Sequence, residues 1–147
     1  MELERDFKDM LSCLNARHVE FLIVGGFALA FHGKPRLTGD IDLLVRPTPD
    51  NGARVMQALQ DFGMALPGLS AADFEKPGQV VQLGVPPVRI DLVTSITGVS
   101  WEQVSQGGVD GTLGNVPVRY IGLHEFIVNK RATGRLKDLG DIDGLEG

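Results

Sequence analysis

The apolar residues of this chain recur with two different periods, and the change from one to the other outlines its elements. Phe7, Met10, Leu11 and Leu14 stand at helical spacing, which predicts a helix over residues 3–16. FLIV at 21–24 has the length and continuity of a buried strand. It runs into Gly25-Gly26, after which FALAFH predicts a short helix closed by Gly33, with Pro35 blocking its continuation. LTGDIDLLV at 37–45 reads as a second strand. Val55, Met56 and Leu59 then share one face of a predicted helix over 51–62 that ends at Gly63, and the following PGLSAADFEKPG has loop composition. VVQLG and VRIDLV predict strands at 80–84 and 88–93, joined by a turn containing Pro86-Pro87.

Residues 96–115 are rich in Gly and polar side chains and show no clear period beyond one helical turn in SWEQV. VPVRYI at 116–121 predicts a last strand, and two helical stretches follow, at 123–132 and 135–145. Helices and strands alternate first and pair later, which places the chain in the α+β or α/β class, with helices mainly on one face of a sheet. A chain of 147 residues and 15.9 kDa without an evident linker is expected to form a single domain over 1–147, with a core of about 20–121 and a C-terminal helical segment of about 123–146.

Composition narrows the function more than the fold. A hydrophobic share of 43% with 22% charged residues is that of a folded protein, and a net charge of −5 argues against a generally basic nucleic-acid binder while leaving room for a local basic patch. Cys13, the sole cysteine, excludes an intrachain disulfide and sits among Met10 and Leu14 as a core residue would. MELERDFK lacks a signal-peptide core, and the longest apolar run, FLIVGGFALAF, is only 11 residues long with a Gly pair inside it. The expectation is a cytoplasmic protein that does not engage a membrane.

The chemistry begins in the second predicted strand. Side chains alternate along a strand, so Asp40 and Asp42 point one way while Ile41, Leu43 and Val45 point the other. Two like charges side by side repel, and one tends to stay protonated unless a cation holds both ionised. A divalent metal is the leading partner for such a pair. In VRIDLV, Arg89, Asp91 and Val93 share a face, so Asp91 joins the pair if the two strands are neighbours, and three carboxylates then suit a site for two divalent ions. The plainer alternative is Asp91 paired with Arg89 or a lysine at the sheet surface. Gly25 and Gly26, at a strand-to-helix turn, lack the Cβ that would keep backbone N–H groups away from a phosphate. A second D-I-D, Asp141 and Asp143 in DIDGLEG, falls in helical sequence, where residues two apart do not face each other, so with Glu146 it reads as a solvated acidic face.

Together, VGGFALAFHGKPRLTGDIDLLV and the later VRIDLV resemble the signature of nucleotidyltransferases of the DNA polymerase β-like superfamily: a strand ending in Gly-Gly or Gly-Ser, a short helix, a D-x-D strand, and a later strand with a third acid. NKRATGRLKDLGDIDGLE is similar to the C-terminal helices of the minimal and abortive-infection toxin-like branches, so the likeness spans roughly residues 20–145. The resemblance implies a mixed β-sheet flanked by helices, with an NTP such as ATP bound through Mg2+ or Mn2+ and an NMP passed to a hydroxyl with release of pyrophosphate. By the same resemblance Asp40 and Asp42 ligate the metals carrying the triphosphate, Asp91 holds the second metal and helps deprotonate the acceptor, and Gly25-Gly26 approach the phosphates. Many members carry Ser where this chain has Gly26, so backbone donors or a lysine must replace that hydroxyl.

Arg36 and Thr38 precede the aspartates and are candidates for phosphate contact or for bracing the loop. Lys130, Arg131, Arg135 and Lys137 form the densest basic cluster, in which Lys130 is the candidate for the triphosphate and Asp138 for orienting a lysine, against the reading of a solvated helix face. His18, His32 and His124 lack metal-ligand spacing, and His32 before Gly33 suits a helix end. The alternative to a transferase, within or outside a toxin–antitoxin pair, is a catalytically silent binding module acting through a protein partner. The expected acceptor is RNA or protein, with a partner subunit or a second copy completing the site.

Overall fold

The computed structural model describes residues 2–34, 39–64, 66–85 and 88–143. Its elements follow in the order α1 (Glu2–Ala16), β1 (Phe21–Val24), α2 (Gly25–Phe31), β2 (Asp40–Val45), α3 (Pro49–Phe62), β3 (Val80–Val85), β4 (Val88–Val93), α4 (Trp101–Gln106), β5 (Val109–Leu113), β6 (Val116–Tyr120), α5 (Leu123–Thr133) and α6 (Leu136–Ile142). The strands form one mixed six-stranded sheet in the order β3-β4-β2-β1-β6-β5. β1 runs antiparallel to β2 and parallel to β6, β2 runs parallel to β4, and the outer pairs β3/β4 and β5/β6 are antiparallel. The fold is thus the predicted mixed sheet with flanking helices. No helix among the described residues is long and apolar enough to cross a membrane.

The apolar periods become the core. Phe7, Met10, Leu11 and Leu14 of α1 are all buried, as their spacing requires, and α1 packs on α3, where Arg17 and Asp61 close the pair with a 2.6 Å contact. All four residues of β1 are buried, fitting a strand with neighbours on both edges and cover on both faces. In β2, Ile41, Leu43 and Val45 are each no more than 1% exposed. Leu44 shares the aspartate face and is also buried, so that face is closed toward the end of β2 and open at its start.

Several boundaries differ from the sequence expectation for local reasons. α3 begins at Pro49, two residues before the predicted start, because Thr48 caps it by accepting from the Asn51 N–H (3.2 Å) and proline suits the first helical position. It ends at Gly63, as expected, with φ 90°. The loop predicted over 67–78 contains a 3-10 turn, Ala71–Phe74, that buries Phe74. The stretch without a period, 96–115, holds α4 and β5. A capping box between Ser100 and Gln103 starts α4. β5 is an edge strand whose VDGTL has no apolar alternation; it pairs with β6 through a turn at Gly114 and Asn115, both at positive φ (55° and 73°). The predicted Pro86-Pro87 turn and the first residues of the predicted aspartate strand, 37–38, lie outside the described residues.

Candidate functional site

Strand register brings the candidate acids together. In the parallel β2/β4 ladder Asp42 stands opposite Asp91 and Asp40 opposite Arg89. Because the parity that puts Asp40 and Asp42 on one face also puts Arg89 and Asp91 there, all four functional groups share one surface. The antiparallel β1/β2 ladder sets Val24 opposite Asp42, so the chain turns into α2 beside the Asp42 carboxylate. Gly25 makes that turn possible. Its φ is +69°, and a Cβ at this position would lie 2.1 Å from Asp42 Oδ2, so the carboxylate occupies the space a side chain would need. Gly26 follows in the first turn of α2, and Val24, the residue at the cap position before that helix, offers no side-chain hydrogen bond.

Burial and neighbouring charge act hardest on Asp42. Desolvation, the adjacent Asp91 charge, a hydrogen bond to Asp91 and the Asp40 charge push its carboxyl up to about 6, while the Lys130 ammonium pulls the other way. Lys130 therefore reaches the carboxylates electrostatically from α5. Its side chain is 15% exposed, it lies 5.4 Å from the centre of the Phe126 ring, and its Nζ is 3.4 Å from Asp138 Oδ1. A solvated helix face does not describe it. Asp138 is fully buried and also accepts from Thr133 Oγ1 (2.6 Å) and from Arg135 Nε (2.6 Å) and Nη2 (3.2 Å), an arrangement that holds its carboxyl well below the usual range. The sequence pointed to Asp138 as a lysine partner, but gave no sign that Thr133 and Arg135 complete the cluster.

Arg89 is the partner that the plainer reading of the sequence gave Asp91, and it also reaches Asp40, which that reading did not foresee. Its Nη2 lies 2.9 Å from Asp40 Oδ2 and its Nε 3.1 Å from Asp91 Oδ1, so one guanidinium spans two of the three carboxylates. The signal was present in its parity with Asp91, two residues on. Among the described residues no group of three His, Cys, Asp or Glu side chains is spaced to hold a metal ion as it stands. With Asp40 and Asp91 both turned to Arg89, the three acids are not drawn together on a common point. The donor set nevertheless fits a hard divalent cation. It consists of carboxylate oxygens alone, and Asp91 Oδ1 is buried without a hydrogen-bond partner, an acceptor a cation would satisfy. Arg36 and Thr38 lie outside the described residues. His32 caps the C-terminal end of α2, as its position predicted, and its Nε2 donates to Ile121 O (2.7 Å), a structural contact.

No protein-family model matches the sequence. No curated protein matches it either. Solved structures do match in fold. A Thermotoga maritima protein provisionally called a nucleotidyltransferase superposes with a TM-score of 0.61 at 11% identity, over 97% of this chain and 89% of the other. An antigenic nucleotidyltransferase-like protein of Paracoccidioides brasiliensis superposes with a TM-score of 0.56 at 22% identity, over 99% of this chain and 74% of the other. The likeness is one of fold: this chain's mixed six-stranded sheet flanked by helices is the nucleotidyltransferase fold of those structures.

Proposed function

We propose that the protein is a metal-dependent nucleotidyltransferase that moves an NMP from an NTP to a hydroxyl acceptor and releases pyrophosphate. The observation that carries this reading is the register of Asp42 against Asp91, which sets two buried or half-buried acids side by side; Asp91 Oδ1, for all its charge contact with Arg89, accepts no hydrogen bond. Asp40, Asp42 and Asp91 would hold Mg2+ or Mn2+. Such an ion supplies charge neutralisation at the triphosphate and at the attacking and leaving oxygens. Asp91 takes up the acceptor's hydroxyl proton as that oxygen attacks the α-phosphorus, and the bond from this phosphorus to the pyrophosphate oxygen breaks. Lys130, held by Asp138 and Phe126, offers its ammonium to the triphosphate, and Gly25 and Gly26 let backbone N–H groups approach it. Arg36 and Thr38 are further candidates for phosphate contact. A setting in a toxin–antitoxin pair, with RNA or protein as acceptor, belongs to the same proposal.

One observation favours the second reading, a silent binding module: Arg89 already pairs with both Asp40 and Asp91. One experiment separates the two readings. A ligand that binds only the folded state raises its melting temperature, so Mn2+ with ATP should raise it for the parent protein and not for Asp42→Asn. Transfer of label from α-labelled NTP into an acceptor completes the case. A shift that survives Asp42→Asn rejects the carboxylate site, and a shift without transfer in any extract selects the silent module.

A further inference from the structure

We propose that Arg89 is an internal counter-cation, seated among the carboxylates until a metal-bound triphosphate displaces it, so that the site takes the metal–nucleotide complex in preference to the free ion. This inference rests on the transferase reading. Its basis is the combination of position, burial and poor bonding. Arg89 stands opposite Asp40 in the ladder and shares its face with Asp91, so no rearrangement of the strands is needed to bring it between them. Its contact with Asp40 Oδ2, 2.9 Å, has the length of a sound charge-assisted bond.

The contact with Asp91 does not. Arg89 Nε and Asp91 Oδ1 are 3.1 Å apart, and both are buried, yet neither finds a hydrogen-bond partner. The remaining link, Nη2 to Asp91 Oδ2, is 3.3 Å long. A guanidinium fitted to a carboxylate makes two parallel bonds of about 2.7–2.9 Å. Here the two charges are paired while one directional bond stays unmade and the other is long, which leaves the pair electrostatically useful and easy to exchange. The Arg89 side chain is 29% exposed, so it has a way out toward solvent.

The selectivity follows from charge. A free divalent ion approaching Asp40 and Asp91 meets the guanidinium's positive charge and must expel it without offering it a new partner. A metal–triphosphate complex brings anionic oxygens with it, and these receive the displaced guanidinium with the planar geometry it favours. Binding of the nucleotide and binding of the metal are thereby coupled through one side chain.

Mn2+ binding to the full chain, followed by the loss of the free-ion electron paramagnetic resonance signal, tests this without reference to turnover. The parent should bind Mn2+ alone weakly and about tenfold more tightly with a non-hydrolysable ATP analogue present. Arg89→Gln should tighten the binding of Mn2+ alone by about tenfold and close most of that gap. Its metal-free melting temperature should fall, because three acids then face one another, and Mn2+ alone should restore it. Arg89→Lys keeps the charge and the fold, and should remain as selective as the parent; if it binds Mn2+ alone as tightly as Arg89→Gln does, the counter-cation idea is wrong. Unchanged or weaker Mn2+ binding in a folded Arg89→Gln overturns it as well. Asp42→Asn distinguishes the two levels: Mn2+ binding that survives Asp42→Asn sinks the transferase site itself, whereas loss there with no effect at Arg89 sinks only the present inference.

Discussion

Gly25 shows how a single missing side chain sets the site. The Gly pair was legible in the sequence as a strand-to-helix turn. What the sequence could not show is that Asp42, seventeen positions on, fills the space where a Cβ would stand, because that depends on the β1/β2 register. Gly25→Ala combines a positive-φ penalty of about 1–2 kcal/mol with a displaced carboxylate, and should lower the melting temperature and abolish the shift caused by Mn2+ and ATP. Gly63→Ala is the control: its φ is +90° and nothing lies within 4 Å of the added Cβ, so stability should fall while the nucleotide-induced shift survives. Equal nucleotide binding in both variants would place the metal away from Asp42. The parity of Asp40, Asp42 and Asp91 was readable because a strand fixes it, and the environment of Asp42 gives a pH prediction. Its carboxyl is raised to about 6 in the fold, so the metal-free folded state binds this proton more tightly than the unfolded chain does. That contribution is fully present below the unfolded value near 3.8 and is lost as pH rises through about 6. In chelator, the parent's melting temperature should drop more steeply from pH 5 to 7 than that of Asp42→Asn; parallel curves would deny the raised value.

At the scale of elements, legibility followed the strength of the period. α1, α3 and the four inner strands were marked by apolar spacing, whereas α4 and β5 were not: α4 rests on the Ser100–Gln103 capping box, and β5, at the sheet edge, buries too little to alternate. The α5–α6 pair was visible as helices but not as a device for placing Lys130. Asp138, the first-turn acid of α6, binds back to Lys130 and Thr133 of α5, and to Arg135 at the N-terminal cap. Lys34, just beyond α2, donates to Asp143 O (2.9 Å) and to Gly140 O, tying the far end of α6 to the end of α2. Asp138→Asn removes the charge from this junction and leaves Lys130 with its partner weakened. We expect a loss of about 2 kcal/mol, by urea unfolding, toward the low end for a buried charged pair because Arg135 stays exposed. The sign with pH opposes that of Asp42. A depressed carboxyl stabilises above its unfolded value, and that stability is lost as pH falls through the folded one, so the deficit of Asp138→Asn against the parent should shrink in acid. A deficit independent of pH would mean that Asp138 contributes packing rather than charge.

The whole molecule is acidic, with a net charge of −5, and its exposed cations on the last two helices stand out against that background. Arg131 is exposed, and the Arg135 side chain is 69% exposed. The carboxylate site is itself open at one end: the Asp40 side chain is 36% exposed, while Leu44 on the same face is buried. In the reading proposed above, an open acidic centre that Lys130 of α5 reaches suits a large acceptor better than a small molecule that must be enclosed to be held. Were the acceptor RNA, as proposed above, phosphate contacts from the basic cluster of the sequence, Lys130, Arg131, Arg135 and Lys137, would set the salt dependence. Four fully released counterions on a single strand give a slope of log K against log salt of about −3, at roughly −0.7 per phosphate. Lys130 and Arg135 already share their charge with Asp138, so a shallower slope of about −1 to −2 is expected. A protein acceptor, recognised through shape and backbone, should depend on salt less. Incubation with α-labelled NTP, Mn2+ and cell extract, with the label followed into RNA, protein and small-molecule fractions at two salt concentrations, reads both points. Label in RNA that falls steeply with salt assigns the basic helices to the acceptor. Label in protein at both concentrations keeps the open site and moves recognition elsewhere. Label confined to a small hydroxyl compound would mean that a second copy or another chain walls the open end, and the macromolecular acceptor would be abandoned.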